Sequence, residues 1–180
     1  MSPDAGEAYW AIVPYTPQAP FKIHLADAAP VEVPSAAQIV DGLRKGGDAE
    51  FGFVVRAKAR PVLLLSGLSD PRTGDLFALR LLRFSELSHD EQRQVREQRE
   101  PLLFHLRPER FTGLPEECAA LLSAPIRTHQ TALDTRECLG RLDRNELRVL
   151  TERFVTYWRF DLRQLLLTQI RRFQDRQAGR

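Results

Sequence analysis

The segment that most constrains this chain is Arg60-Pro61-Val62-Leu63-Leu64-Leu65-Ser66. It is followed by the polar turn Asp70-Pro71-Arg72-Thr73-Gly74-Asp75 and a second apolar run from Leu76 to Leu82. A run of β-type residues, a Pro/Gly turn and another such run read as two paired strands. At the head of the first strand a permanently charged guanidinium, Arg60, stands directly before a proline that has no N–H to donate. An arginine held at the mouth of a buried strand can bind a phosphate or protonate a leaving oxygen.

At 180 residues the chain is expected to form one domain, with at most an appendage. Its hydrophobic content of 43% is enough for a real core. No run approaches the roughly 20 apolar residues of a membrane helix. The start, Met1-Ser2-Pro3-Asp4, does not read as a signal peptide. A cytoplasmic protein without a membrane partner is the expectation, and Cys118 and Cys138 then read as two buried thiols rather than a bridge. His24, His89, His105 and His129 are scattered, with no CxxC or HxxxH spacing, so neither a metal nor a cofactor is expected. The net charge is only +2, but Lys22, Lys45 and Lys58 are the only lysines and all other cations are arginine, the better bidentate phosphate ligand. From Arg163 to Arg180, five arginines face a single acid, Asp175.

Residues 6–14 read as a strand closed by Pro14, and residues 15–35, with four prolines, as a loop with a short extended piece at Phe21–Leu25. A capping box at Ser35–Gln38 predicts a short helix from Ala36 to Arg44. Strands are expected at Phe51–Arg56 and Pro61–Ser66. Ser88-His89-Asp90-Glu91 opens a polar helix to about Glu100, ended by Pro101, and Leu102–Leu106 is a strand. Cys118–Ser123 and Ile126–His129 read as two pieces of sheet on either side of Pro125. Asp143-Arg144-Asn145-Glu146 is a second capping box and starts the longest helix, whose apolar residues recur at helical spacing from Leu147 to Phe173. The sum is an α+β fold, mostly antiparallel, with a strongly bent sheet and a long C-terminal helix.

In this order the pieces resemble the MazF/PemK (Kid-like) toxins. Gly6-Glu7-Ala8-Tyr9-Trp10-Ala11 is similar to the family's opening strand. Arg60-Pro61-Val62-Leu63-Leu64-Leu65-Ser66 is similar to its second strand, with Thr73-Gly74 in the following turn. Ala124-Pro125-Ile126-Arg127-Thr128, Leu139-Gly140-Arg141-Leu142 and Glu146-Leu147 are similar to its closing strand and last helix. The resemblance implies a small SH3-like barrel of the MazF/PemK/CcdB type over residues 1–163, with a C-terminal helical extension over 164–180. It implies a homodimer, a cognate antitoxin, and metal-independent cleavage of single-stranded RNA by the substrate's own 2′-OH. The family's catalytic arginine falls on Arg60. Its phosphate-binding Ser/Thr falls near Leu82, with Arg83 or Ser85 as substitutes, and its acid near Val55. The usual short loop after the first strand is replaced by residues 15–59.

Transesterification at phosphorus needs a base, charge stabilisation at the phosphate and an acid. Arg60 suits the second task. A guanidinium is a poor base, so a partner is required, and His24 and His129 are candidates because imidazole titrates near neutrality. Arg56, Lys58, Arg60, Arg80 and Arg83 form a basic cluster that would attract a polyanion, unless they serve as a solvated strand edge. Phe51, Phe53 and Phe84 are expected in the core rather than stacked on bases. The reading is a toxin endoribonuclease with Arg60, His24 and Arg83 as catalytic residues and Arg56, Lys58, Arg80 and Ser85 as RNA ligands. A degenerate barrel that binds RNA or a protein partner is the alternative, and a regulatory domain with an Arg-rich tail a third class.

Overall fold

The computed structural model of the chain describes residues 3–24, 29–40, 52–66 and 74–158. Residues 70–73 of the turn expected over Asp70–Asp75, the helix beyond residue 40, Phe51 and the Arg-rich tail lie outside the described residues. In chain order the strands are β1 (Glu7–Pro14), β2 (Phe21–His24), β3 (Val31–Val33), β4 (Gly52–Phe53), β5 (Ala57–Leu64), β6 (Asp75–Arg83), β7 (Leu103–Leu106), β8 (Cys118–His129), β9 (Leu133–Asp134) and β10 (Gly140–Arg141). Helix α1 covers 36–40, α2 is His89–Arg96, and α3 covers 144–158 of the described chain. The fold is α+β with mostly antiparallel strands and a long C-terminal helix, as the sequence led us to expect. It divides into two compact units, Met1–Ala11 with Arg60–Arg180, and Ile12–Ala59.

The larger unit is built on a seven-stranded sheet in the order β10-β1-β5-β6-β8-β7, with β9 also paired to β1. Its end strands β10 and β7 do not pair with each other among the described residues, so the sheet is open. Pro61, Val62, Leu63 and Leu64 are all buried, which fits a strand flanked on both edges and covered on both faces. On one face Leu63, Leu79 and Leu81 pack with Phe104, Ala120, Leu122 and Leu150, the last from α3. On the other, Leu82 packs against Phe84, Val95, Leu103 and Ala119.

Several elements differ from the sequence expectation for identifiable reasons. Pro125 does not split the sheet. β8 runs through it as one 12-residue strand, with Pro125 opposite Leu79. The β6–β8 register shifts between Leu79 and Leu81, and a proline is tolerated at such an irregularity because regular pairing is already broken there. The polar helix is capped as expected, Ser88 accepting from Glu91 N and the Glu91 carboxylate accepting from Ser88 N, but it ends at Arg96 rather than near Glu100. It is also not a wholly solvated surface helix: Val95 is fully buried and carries α2 onto the sheet. Cys118 is buried and Cys138 exposed, both as free thiols, so only one of the two is the buried residue expected.

The smaller unit holds the three-stranded sheet β3-β2-β4, in which β2 falls on the extended piece expected at Phe21–Leu25, β4 in the strand expected at Phe51–Arg56, and β3 in residues read as a loop. Phe21 stands opposite Val33, and Ile23 opposite both Val31 and Phe53. Period-2 alternation therefore gathers these apolar residues on one side, where the Phe21 and Phe53 rings meet edge to face at 5.8 Å. The strand expected over 51–56 is short: β4 comprises only Gly52 and Phe53.

Close approach at one glycine ties the C-terminal strands to the larger unit. Gly140, at φ 152°, pairs with Ala8, and a Cβ placed on it would lie 2.4 Å from the Arg110 carbonyl oxygen and 2.5 Å from Phe111 Cα. Backbone cannot move aside as a flexible side chain can. Gly140→Ala is therefore expected to destabilise the protein by more than about 2 kcal/mol, read from the urea midpoint. An unchanged midpoint would show that the 107–113 segment does not press on β10.

Candidate functional site

The site grows from the β5–β6 pairing. Val62, Leu63 and Leu64 stand opposite Arg80, Leu79 and Ala78. The pairing ends at Val62–Arg80, directly before Pro61, which has no N–H to continue the ladder. Arg60 follows, half-buried and beyond the paired stretch. Alternation puts Arg60, Val62 and Leu64 on the same side as Ala78, Arg80 and Leu82. Arg60 and Arg80 are thus diagonal neighbours on one sheet face.

What sets this pair apart is the buried guanidinium N–H of Arg80, which no acceptor meets among the described residues. Elsewhere in this unit many guanidiniums are neutralised, Arg110 by Asp143 at 2.7 Å, Arg141 by Asp4 at 2.9 Å, Arg148 by Glu152 at 2.9 Å, Arg136 by Asp134 at 2.6 Å and Arg127 by Asp75, whereas Arg144 on α3 has no carboxylate partner among the described residues. Arg153, on α3, donates to the carbonyls of Glu100 and Leu103 and to Gln98 Oε1 at 2.6 Å. Burial lowers the proton affinity of its guanidinium. Among the described residues Arg60 and Arg80 have no carboxylate partner, and the buried Nε of Arg80 has no hydrogen-bond acceptor at all.

The other residues singled out in the sequence are distributed around this pair. Arg83 faces the opposite side of β6, opposite Cys118, and lies 3.5 Å from Glu116. Ser85 is exposed in a 3₁₀ turn, Phe84–Glu86. Leu82 is apolar for a clear reason, since it lies under α2 beside Val95 and Phe84. His129 ends β8, its Nδ1 accepting from Thr131 N at 3.2 Å and lying 2.7 Å from Thr131 Oγ1.

His24, Arg56 and Lys58 belong to the smaller unit. The His24 ring lies over Gly52, where an added Cβ would stand 2.4 Å from its Nε2. The Arg56 carbonyl accepts from Tyr15 N at 2.8 Å, and Lys58 Nζ sits 5.7 Å from the centre of the Tyr15 ring. Val55, at the family's acidic position, is in the same unit and partly exposed. Of the expected aromatics, Phe84 is buried, whereas Phe53 is 43% exposed.

Sequence reasoning did not find one polar cluster, on the α2 side of the sheet. Glu117 receives Arg96 Nε at 2.9 Å and Arg96 Nη2 at 2.5 Å, and His105 Nε2 lies 2.7 Å from Glu117 Oε1. The Arg96 guanidinium covers the Phe84 ring at 4.8 Å, and that ring is 5.4 Å from His105. Hydrogen bonding from Arg96, helped by His105, holds the Glu117 carboxyl below its ordinary value near 4.5. Only the β7–β8 register, which sets His105 opposite Ala119, brings these residues together, and no sequence spacing announces it. Among the described residues no cluster of His, Cys, Asp and Glu is arranged to hold a metal ion, and no helix is long and apolar enough to cross a membrane.

No model of a known protein family matches the chain, and no curated protein matches its sequence.

The Glu117 clamp has a defined pH signature. A depressed carboxylate contributes stability above its unfolded pKa and loses it as the pH falls through the folded value. Glu117→Gln is expected to cost roughly 1–2 kcal/mol near neutral pH, discounted for the partial exposure of Arg96. Its deficit relative to wild type should shrink as the pH drops below 4.5. A deficit that does not change with pH in urea melts would contradict the ion pair.

Proposed function

We propose that this chain is a MazF/PemK-like toxin of a type II toxin–antitoxin system, a metal-independent endoribonuclease acting on single-stranded RNA through Arg60. The observation that carries the reading is the half-buried guanidinium of Arg60, without a carboxylate partner among the described residues, beside Pro61 within β5 where the pairing with β6 ends. Support for the SH3-like barrel comes from strand order. The segments similar to the family's opening, second and closing strands fall in β1, β5 and β8, and the chain then returns through β9 and β10 to pair with β1.

In this reaction the 2′-oxygen attacks the adjacent phosphorus. A P–O2′ bond forms, the P–O5′ bond breaks, the 2′-OH proton passes to a base and another proton reaches O5′. The products are a 2′,3′-cyclic phosphate and a 5′-hydroxyl. Arg60 stabilises the charge that gathers on the phosphoryl oxygens. The base is taken to be a histidine, for which the sequence offers His24 and His129. Arg83, tied to Glu116 on the other side of β6, contributes less than Arg60. A homodimer regulated by a cognate antitoxin in the cytoplasm completes the proposal.

A second reading, a degenerate barrel that binds RNA or a protein without cutting, is favoured by Leu82 and Val55, apolar at two positions where the family's pattern is polar. One assay separates the two. Purified protein is incubated with a long single-stranded RNA in the presence of a chelator. Wild type is expected to cut it to 2′,3′-cyclic phosphate ends, and Arg60→Ala to lower the rate by about 10²–10³-fold. Binding without cutting selects the second reading, and cutting by Arg60→Ala at the wild-type rate contradicts the assignment of Arg60.

A further inference from the structure

Arg80 is not part of the resemblance, yet it is the most unusual polar group on the β5–β6 face. Its Nε is buried without an acceptor, although buried guanidinium N–H groups are unfavourable unless bonded. Leu65 N donates to the Phe77 carbonyl at 2.8 Å, which fixes the alternation of the ladder. Val62 and Arg80 are then a non-hydrogen-bonded pair, the kind in which facing side chains stand closest. Arg60, two residues before Val62, is the diagonal neighbour of Arg80, a separation of about 7–8 Å that long side chains span. The side chains that share this face nearby, Val62, Leu64, Ala78 and Leu82, carry no charge. Two adjacent cations on an apolar face repel each other unless an anion lies between them.

We propose that Arg60 and Arg80 close on one and the same phosphate group of a single-stranded nucleic acid, Arg80 supplying a second guanidinium and its buried Nε–H. This rests on the reading of Arg60 as a phosphate ligand and adds to it a shared anion seat. Two forked donors around one tetrahedral anion fix its orientation as well as its charge. Arg83, on the other side of β6 and paired with Glu116, takes no part.

The test is a double-mutant cycle on binding of a fluorescein-labelled single-stranded oligodeoxyribonucleotide, which lacks the 2′-OH and so cannot be cut by this chemistry. The variants are Arg60→Met, Arg80→Met and the double substitution. Methionine keeps an unbranched stem in place of each arginine, and urea melts check that each variant is folded. Arg80→Gln, which retains an N–H donor, is the second variant if Arg80→Met does not fold. Each single change is expected to weaken binding about tenfold or more, and the double variant to bind no more weakly than the poorer single one, because either change dismantles the same seat. Losses that multiply in the double variant would mean two separate phosphates and overturn the shared seat. Wild-type binding by the Arg80 variant beside weak binding by Arg60→Met would overturn the role of Arg80 and leave Arg60 as the phosphate ligand. Wild-type binding by both single variants would remove both.

Discussion

The rest of the molecule depends on how β5 pairs with β6. Leu63 is buried among Leu79, Leu81, Phe104 and Ala120, while Val62 and Leu64 are buried on the opposite side. Both edges of β5 are paired, to β1 and to β6. A one-residue slip would turn Arg80 into the Leu79–Leu81 core and expose those leucines, exchanging several buried side chains for a buried charge. The register is therefore strongly specified by the apolar side chains themselves. That same register decides which arginines share a face, so the geometry of the candidate site is a by-product of core packing.

The distribution of charge reinforces this. In an arginine-rich chain, carboxylates do two jobs at once. Asp143 and Glu146 cap the first turn of α3 through reciprocal backbone contacts and also neutralise Arg110, with Glu146 reaching Arg107. Glu117 binds Arg96 and His105 together and ties α2 to the strands beneath it. Individually such pairs contribute little at a surface. Among the described residues of the larger unit they leave Arg60, Arg80, Arg144 and Arg153 without a carboxylate partner, and of these Arg80 alone has a buried N–H that no acceptor meets. Arg153 serves structure instead, joining α3 to the carbonyls of Glu100 and Leu103.

The parts of the fold written locally were legible in the sequence. The Ser88–Glu91 and Asp143–Glu146 capping boxes form as read, because both partners lie within four residues and the contact requires only the first helical turn. The apolar runs of β6 and β7 also fall where alternation and propensity put them, whereas β5 begins at Ala57 and ends at Leu64 instead of spanning Pro61–Ser66, so Arg60 lies inside the strand and not at its entrance. Features set by distant pairing were not legible. Pro125 sits inside β8 because β6 tolerates a shifted register there. The proline-rich segment read as a loop holds, besides the extended piece expected at Phe21–Leu25, the unexpected strand β3, which pairs with β2. At the site, Arg60 could be chosen from Pro61 and the apolar run alone. That Arg80 and not Arg83 shares a face with Arg60 follows from which residue stands opposite Val62, and the Glu117 cluster from which stands opposite His105.

The most direct test of the central claim is the β5–β6 register in solution. In an antiparallel ladder, opposite α-protons come close only in non-hydrogen-bonded pairs, where the Cα atoms are about 4.5 Å apart. Nuclear Overhauser spectra of the isotope-labelled protein should contain strong α-proton cross-peaks between Val62 and Arg80 and between Leu64 and Ala78. Cross-peaks joining Val62 to Leu79 or to Leu81 instead would mean a slipped strand. Arg60 and Arg80 would then lie on opposite faces, and the shared anion seat could not exist.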